Sequence, residues 1–402
     1  MSAVADLPDV DFDEVDFAFE DHPRLHTVLE DLRTAEAYAV VPFAGAKAIL
    51  LLTDELVSAA FKDESTFPAS AIYPMTTGPV LGKTLQCMAG AEHRKNRTLI
   101  LPPFRRRQVA EYVAPLLEPL AHELIDRFAS NGEADLVTEF TTRYAVLLIS
   151  RLMGLPVDDE ATVHRWAHDL FHFPFDPEAA MRASHDFTDA VRPLVAERRH
   201  SPGDDLISVL VSADLEGERL DDEEVLSFLR LLFPAGADTT MLGLGNILSA
   251  LLTHPEQLAI LRSEIREHAI WAVWEGLRWE PPVGLLPRLC PTATTWNGIG
   301  IPARTPVIFS INAANRDPLV YPNPHTFDIT RRAPALLSFG HGPHSCAGNW
   351  LALAELETAL TALFERLPGL RLQYGAEGDA MVTSQVGVAL RGPNRLTVEW
   401  DS

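Results

Sequence analysis

A chain of 402 residues, 47% of them hydrophobic, has ample material for a large core, and its three cysteines, Cys87, Cys290 and Cys346, are too few and too scattered for a disulfide framework. Against 56 acidic residues stand only 33 Lys and Arg, a formal charge of −23 that argues against nucleic acid or an anionic membrane as partner. The acidic N-terminus (Asp9, Asp11, Asp13, Glu14, Asp16) lacks the basic and apolar regions of a signal peptide, and no uncharged apolar run approaches the roughly 20 residues of a membrane span, so a soluble, cytoplasmic protein is expected.

Strand-like runs are short: 38–43, 48–52, 306–311, and a C-terminal pair, 382–390 and 396–400, joined through the turn signal Gly392-Pro393-Asn394. Apolar residues recurring at three- and four-residue spacing predict helices over 112–128, 137–152, 187–198, 222–252, 256–277 and 347–367. The fold class is therefore mainly α with small β-sheets. No repeat, low-complexity tract or flexible linker divides the chain, and one domain over 1–402 is expected.

Four stretches carry candidate chemistry. His93 and Arg97, in Glu92-His93-Arg94-Lys95-Asn96-Arg97, fall on one face of a helix, where they could clamp an anion or form an ordinary surface pair. The helix predicted over 222–252, about 45 Å long, contains Pro234-Ala235-Gly236-Ala237-Asp238-Thr239-Thr240, and a mid-helix proline followed by glycine predicts a widened groove. Asp238 and Thr239 are costly in an apolar helix unless bonded; spacing alone leaves open whether Thr239 merely returns its hydroxyl to the preceding turn. Glu275 and Arg278 stand one turn apart and can pair.

The fourth stretch, Phe339-Gly340-His341-Gly342-Pro343-His344-Ser345-Cys346-Ala347-Gly348, sets a cysteine in a glycine-bracketed loop that opens onto an apolar-periodic helix. Glycines at 340, 342 and 348 allow torsions and close approaches that a Cβ would forbid, and unpaired N–H groups would favour a thiolate. A zinc site of His341, His344 and Cys346 would lack a fourth ligand at recognisable spacing.

The pattern F-G-x-G-x-H-x-C-x-G resembles the cysteine loop of the cytochrome P450 superfamily, and Ala235-Gly236-Ala237-Asp238-Thr239 resembles that family's oxygen-binding groove, A-G-x-[DE]-T. The resemblance implies a single helical domain that holds haem b between the long distal helix, about 222–252, and the proximal helix, about 347–367. It implies Cys346 as the iron ligand in a loop that includes Phe339, Gly340, Ala347 and Gly348, with Ala235 and Gly236 in the groove. Asp238 and Thr239 would serve proton delivery to dioxygen, while His93, Arg97, Arg288 and His344 would hold the haem propionates. Glu275 and Arg278 match the family's E-x-x-R motif, with Arg316 of Asn315-Arg316-Asp317 as the later arginine of its buried network.

By the same resemblance the activity is that of a bacterial-type, haem-thiolate monooxygenase acting on an apolar organic substrate. Residues 67–85, 170–181, 283–286 and 385–388 would line its pocket. No G-x-G-x-x-G or flavin-binding domain is present, so electrons from NAD(P)H would arrive through a [2Fe-2S] ferredoxin and a ferredoxin reductase. Arg94, Lys95, Arg105, Arg106, Arg107, Arg331 and Arg332 form a candidate docking patch on a chain expected to be a monomer. Leu353 stands where relatives often carry an arginine, and the segment 332–335 leading into the cysteine loop is short. The competing expectations are a peroxygenase using hydrogen peroxide and a haem-binding protein without turnover.

Overall fold

The computed structural model describes residues 7–11, 16–18, 21–332, 336–374, 382, 387 and 389–401. Its contacts group into two compact units, each assembled from three stretches of chain.

The first unit comprises Met1–Ile72, Gly245–Cys346 and Val382–Asn394. Its centre is a four-stranded sheet ordered β1 (Tyr38–Phe43), β2 (Ala46–Leu51), β7 (Thr305–Ser310) and β4 (Leu285–Cys290). Ala44 and Gly45, both at positive φ, close the β1–β2 hairpin as a primed turn, and the carboxylate of Asp16 accepts both of their amides, at 3.0 and 3.1 Å. β2 runs parallel to β7, with Ile49 opposite Val307, and Ala48–Leu51 are fully buried because elements cover both faces of the strand. Phe309 meets Phe61 and Phe67 edge-on, which fixes the helix Asp54–Lys62 on the sheet. A separate hairpin pairs β5 (Thr294–Trp296) with β6 (Ile299–Ile301) through Asn297-Gly298.

The second unit comprises Tyr73–Leu244, Ala347–Met381 and Arg395–Ser402, and is mostly helical. Its core joins Leu99, Phe104, Ile149, Phe187, Leu229, Phe233 and Leu351 from six different helices and turns. A small sheet orders β3 (Glu133–Asp135), β9 (Thr397–Glu399) and β8 (Arg371–Leu372). The helix Pro177–His200 begins ten residues before the expected start at 187, because Asp176 caps the amide of Ala179 and Pro177 occupies the first turn.

The long helix, Asp222–Thr253, supplies residues to both units and runs without a break through Pro234. Asp221 and Glu224 bond each other's backbone amides ahead of it, at 2.8 and 2.9 Å, a reciprocal cap. By length and composition it could cross a membrane, but 61% of its most apolar stretch is buried inside the protein, as expected of a core helix.

Several expectations are corrected. The helices predicted over 112–128 and 137–152 each open with a π-type turn, Val113–Leu117 and Val137–Thr141. Pro115 has no amide to give the first, and at the second the hydroxyl of Thr142 takes the Val137 carbonyl at 2.7 Å. The stretch 256–277 is two helices, Pro255–Ser263 and Ile265–Trp279, because Glu264 leaves the helical region. Among the described residues, the neighbours of β9 are β3 and β8, and Leu390 bridges Val283. Most of 382–390, with pocket candidates Gln385, Val386 and Val388 as well as Ala333–Ala335, lies outside the described residues.

Candidate functional site

The cysteine loop is shaped by two glycines. Gly340 and Gly342 have φ of +63° and +72°, and a Cβ on Gly342 would fall 2.4 Å from the carbonyl oxygen of Phe61, at the end of helix Asp54–Lys62. Backbone bonds from Gly340 to Leu337 (2.8 Å), Ser345 to Gly342 (3.2 Å) and Cys346 to Phe339 (2.8 Å) close the turn. Cys346 is left exposed, while Cys87 is half-buried and Cys290 buried. Gly348 departs from the expectation: its φ is −92° and a Cβ there would meet no atom within 4 Å, so no protein contact requires glycine. Ala347 follows Cys346 directly, and the proximal helix begins at Asn349, two residues later than expected.

In the same unit, Arg288 on β4 is buried with its guanidinium 5.7 Å from the centre of the Phe309 ring. His344 places Nε2 3.2 Å from Oε1 of Glu64, a residue the sequence did not single out. In the other unit, His93 and Arg97 lie one turn apart on the helix Gly90–Ile100, His93 buried and Arg97 half-buried. Within the first unit, a soft sulfur donor in a loop with no room for a Cβ at Gly342, and the carboxylate-suited donors Arg288 and His344, fit an iron porphyrin with propionate arms.

The long helix carries the other part of the candidate site. Thr239 donates its hydroxyl to the carbonyl of Ala235 at 2.6 Å, so the return bond that spacing left open is formed. Gly236 sits in close packing: a Cβ there would lie 3.1 Å from Cδ1 of Ile149, which would have to shift to admit it. Asp238 is buried, and its Oδ2 has no hydrogen-bond partner among the described residues; burial alone pushes its pKa up to about 7. Two residues on, Thr240 donates at 2.8 Å to Oε2 of Glu355 on the helix Asn349–Arg366. Glu355 is also buried, and its carboxyl is likewise raised to about 7, burial outweighing the Thr240 hydrogen bond. The sequence did not single out Glu355; an acid among Leu351, Leu353, Leu356 and Leu360 was the available signal.

Glu275 and Arg278 pair as expected, in a two-point contact of 2.7 and 2.8 Å, with Arg278 also donating to the carbonyls of Asn315, Pro324 and Thr326. The later arginine differs from the expectation. Arg331 reaches Glu275 at 3.3 Å, whereas Arg316 stacks 3.9 Å over Trp279 and donates to its carbonyl. Arg331 is thereby withdrawn from the candidate docking patch. Arg94, Arg105, Arg106 and Arg107 are exposed and Lys95 half-buried; Arg106 stands over Trp350 at 5.2 Å, and Arg332 over Trp271 at 5.0 Å. Leu353 is buried, so its replacement of arginine leaves no surface mark. Of the expected pocket residues, Phe67 is spent in the aromatic core beside Trp296 and Phe309, while Met75, Phe175 and Met181 are exposed.

The cytochrome P450 family model matches residues 169–373. The 6-deoxyerythronolide B hydroxylase of Saccharopolyspora erythraea is 32% identical, over 98% of this chain and 99% of its own. The chain belongs to the cytochrome P450 family. A putative cytochrome P450 133B2 of Xylella fastidiosa is 38% identical over 77% of this chain and 78% of its own length. Among solved structures, the LnmA cytochrome P450 hydroxylase of Streptomyces atroolivaceus superposes with a TM-score of 0.83 at 33% identity, covering 96% of this chain and 98% of that one. This P450 is a haem-containing monooxygenase of bacterial type, mainly helical with small sheets.

Proposed function

We propose that the whole chain works as one haem domain that inserts an oxygen atom into an apolar organic substrate, with electrons from NAD(P)H relayed by a [2Fe-2S] ferredoxin and its reductase. When bound, the haem supplies the iron at which dioxygen is reduced. The chain's own residues divide the remaining labour. Cys346 would ligate the iron as thiolate, from a loop too tight to let it retreat. Arg288 and His344, with His93 and Arg97, would neutralise the propionates, which are costly to bury unpaired.

The observation that carries the reading is the unpartnered Oδ2 of buried Asp238. An acid poised near pH 7 can take up and release a proton at physiological pH, and Asp238 adjoins Thr239 on the same turn. Thr239 would exchange its 2.6 Å bond to Ala235 for one to the reacting oxygen, with Asp238 resupplying the proton at its hydroxyl. One relative is named for the hydroxylation of 6-deoxyerythronolide B. An acidic chain of charge −23 would meet a ferredoxin through local arginines rather than its overall field.

The test is substrate-dependent NAD(P)H consumption with surrogate ferredoxin and reductase, on compounds chosen by their low-spin to high-spin Soret shift. Coupled product formation is expected. Turnover with hydrogen peroxide alone would assign a peroxygenase, and no turnover with either would assign a haem-binding protein.

A further inference from the structure

Asp21 has no part in the function proposed above, yet its side chain ends on a segment that does. Its Oδ1 accepts the amide of Gly387 at 3.0 Å, across 366 residues of chain. The carbonyl of the same glycine accepts Nη1 of Arg391 at 2.7 Å. Gly387 has φ of +93°, and a Cβ there would fall 1.9 Å from the carbonyl oxygen of Leu390, so the turn requires glycine. Arg391 is buried between two carboxylates, with Asp21 Oδ1 3.7 Å from its Nη1 and Glu280 Oε1 3.2 Å from its Nε. Beyond the turn the chain runs along the other expected pocket segment. Gly284 donates to the Ala389 carbonyl at 2.9 Å, Arg391 donates to that of Pro282 at 3.0 Å, and Leu390 bridges Val283. Both backbone groups of Gly387 are therefore tied, the carbonyl to this ladder through Arg391 and the amide to the N-terminal stretch through Asp21.

We propose that Asp21 is a positioning residue for substrate selectivity: by holding the Gly387 amide it fixes a wall of the substrate pocket before anything binds. This rests on the reading that residues 283–286 and 385–388 line the pocket of a haem monooxygenase. A wall fixed in advance need not be ordered when a bulky ligand arrives, whereas a loose one must be, at the expense of affinity. The Asp21 side chain is 46% exposed, so truncating it removes the tether without opening a cavity in the core. Asp16 supplies a matched control, because it too holds amides from the N-terminal stretch, those of Ala44 and Gly45, but at the β1–β2 hairpin.

The experiment is azole binding by the haem-loaded protein as wild type, Asp21→Ala, Asp21→Asn and Asp16→Ala, read from the Soret shift that nitrogen ligation of ferric iron produces. 4-Phenylimidazole is compact and samples the surroundings of the iron, while clotrimazole carries a bulky triaryl group that must fit the walls. In Asp21→Ala the ratio of clotrimazole to 4-phenylimidazole affinity should fall about threefold to tenfold, the range for one lost hydrogen bond, with thermal unfolding little changed. Asp21→Asn keeps an acceptor for the amide and should recover most of the ratio. Asp16→Ala should keep the wild-type ratio. Should the wild type exclude clotrimazole, Asp21→Ala should admit it. An unchanged or raised ratio in Asp21→Ala, exclusion of clotrimazole from both proteins, or an equal change in Asp16→Ala would overturn the proposal. A wild type without the thiolate band or any azole shift would instead overturn the haem-site reading, and Asp21's role with it.

Discussion

Glu275 and Asp238 are acids on helices, 2% and 7% exposed, and their surroundings differ as much as those of two buried carboxyls can. Glu275 takes two bonds from Arg278, one from the Asp328 amide and a further contact from Arg331. Asp238 leaves one oxygen with no hydrogen-bond partner among the described residues, and burial lifts its pKa to about 7. Burying an unpaired acid costs free energy, and a fold that tolerates the cost keeps a group ready to exchange protons. The saturated acid belongs to the architecture, and we assign the unsatisfied one to the proposed chemistry.

The comparison breaks first at Glu275. Glu275→Gln should leave Arg278 as an uncompensated buried charge and cost about 3–5 kcal/mol, read as a large loss in urea or thermal unfolding and in haem-loaded yield. Little change in stability would mean that the backbone carbonyls around Arg278 suffice without the acid.

Cys346→Ala should abolish the red-shifted Soret band of the reduced, carbon monoxide-bound protein, whereas Cys87→Ala and Cys290→Ala keep it. A wild-type band at the imidazole-ligated position would remove Cys346 from the site. A smaller effect is expected of Thr239→Ala, which forgoes the 2.6 Å bond to Ala235 without touching the core. Haem and substrate binding should persist while NAD(P)H consumption is diverted to hydrogen peroxide and coupled product formation falls by about a hundredfold, the lower range for a lost proton donor. Full coupling would show that another group delivers the proton. The smallest effect belongs to the surface: reversing Arg105 and Arg106 to Glu should slow bimolecular reduction by ferredoxin several-fold at low salt and vanish as screening rises, with substrate affinity intact.

The sequence made the polar landmarks legible because each breaks a local rule: glycine around a cysteine, proline and aspartate inside an apolar helix, an acid and arginine one turn apart. What it left hidden depended on distant chain. Arg331 rather than Arg316 closes the Glu275 network because the segment after Asp328 folds back onto the helix Ile265–Trp279, which no spacing reveals. Glu64 and Glu355 acquire partners 280 and 115 residues away. The β5–β6 hairpin was an avoidable miss, since Asn297-Gly298 between Trp296 and Ile299 is a strong turn signal. In the sheet β3–β9–β8 the strand β9 was expected at 396–400, whereas β3 and β8, three and two residues long, are too short to leave a pattern.

The most direct test pairs stability and turnover in Asp238→Asn. The folded-state pKa of Asp238, about 7, lies above its ordinary value of 3.8, so the folded protein holds the extra proton between those limits and loses stability as pH rises through them. Glu355 acts in the same direction. Asparagine cannot ionise, so the variant should show a shallower fall in unfolding free energy from pH 4 to 7 and match or exceed wild type at pH 8, while substrate-dependent turnover drops by about tenfold or more with binding little changed. A destabilised variant with wild-type turnover would contradict the account, making Asp238 a structural acid like Glu275.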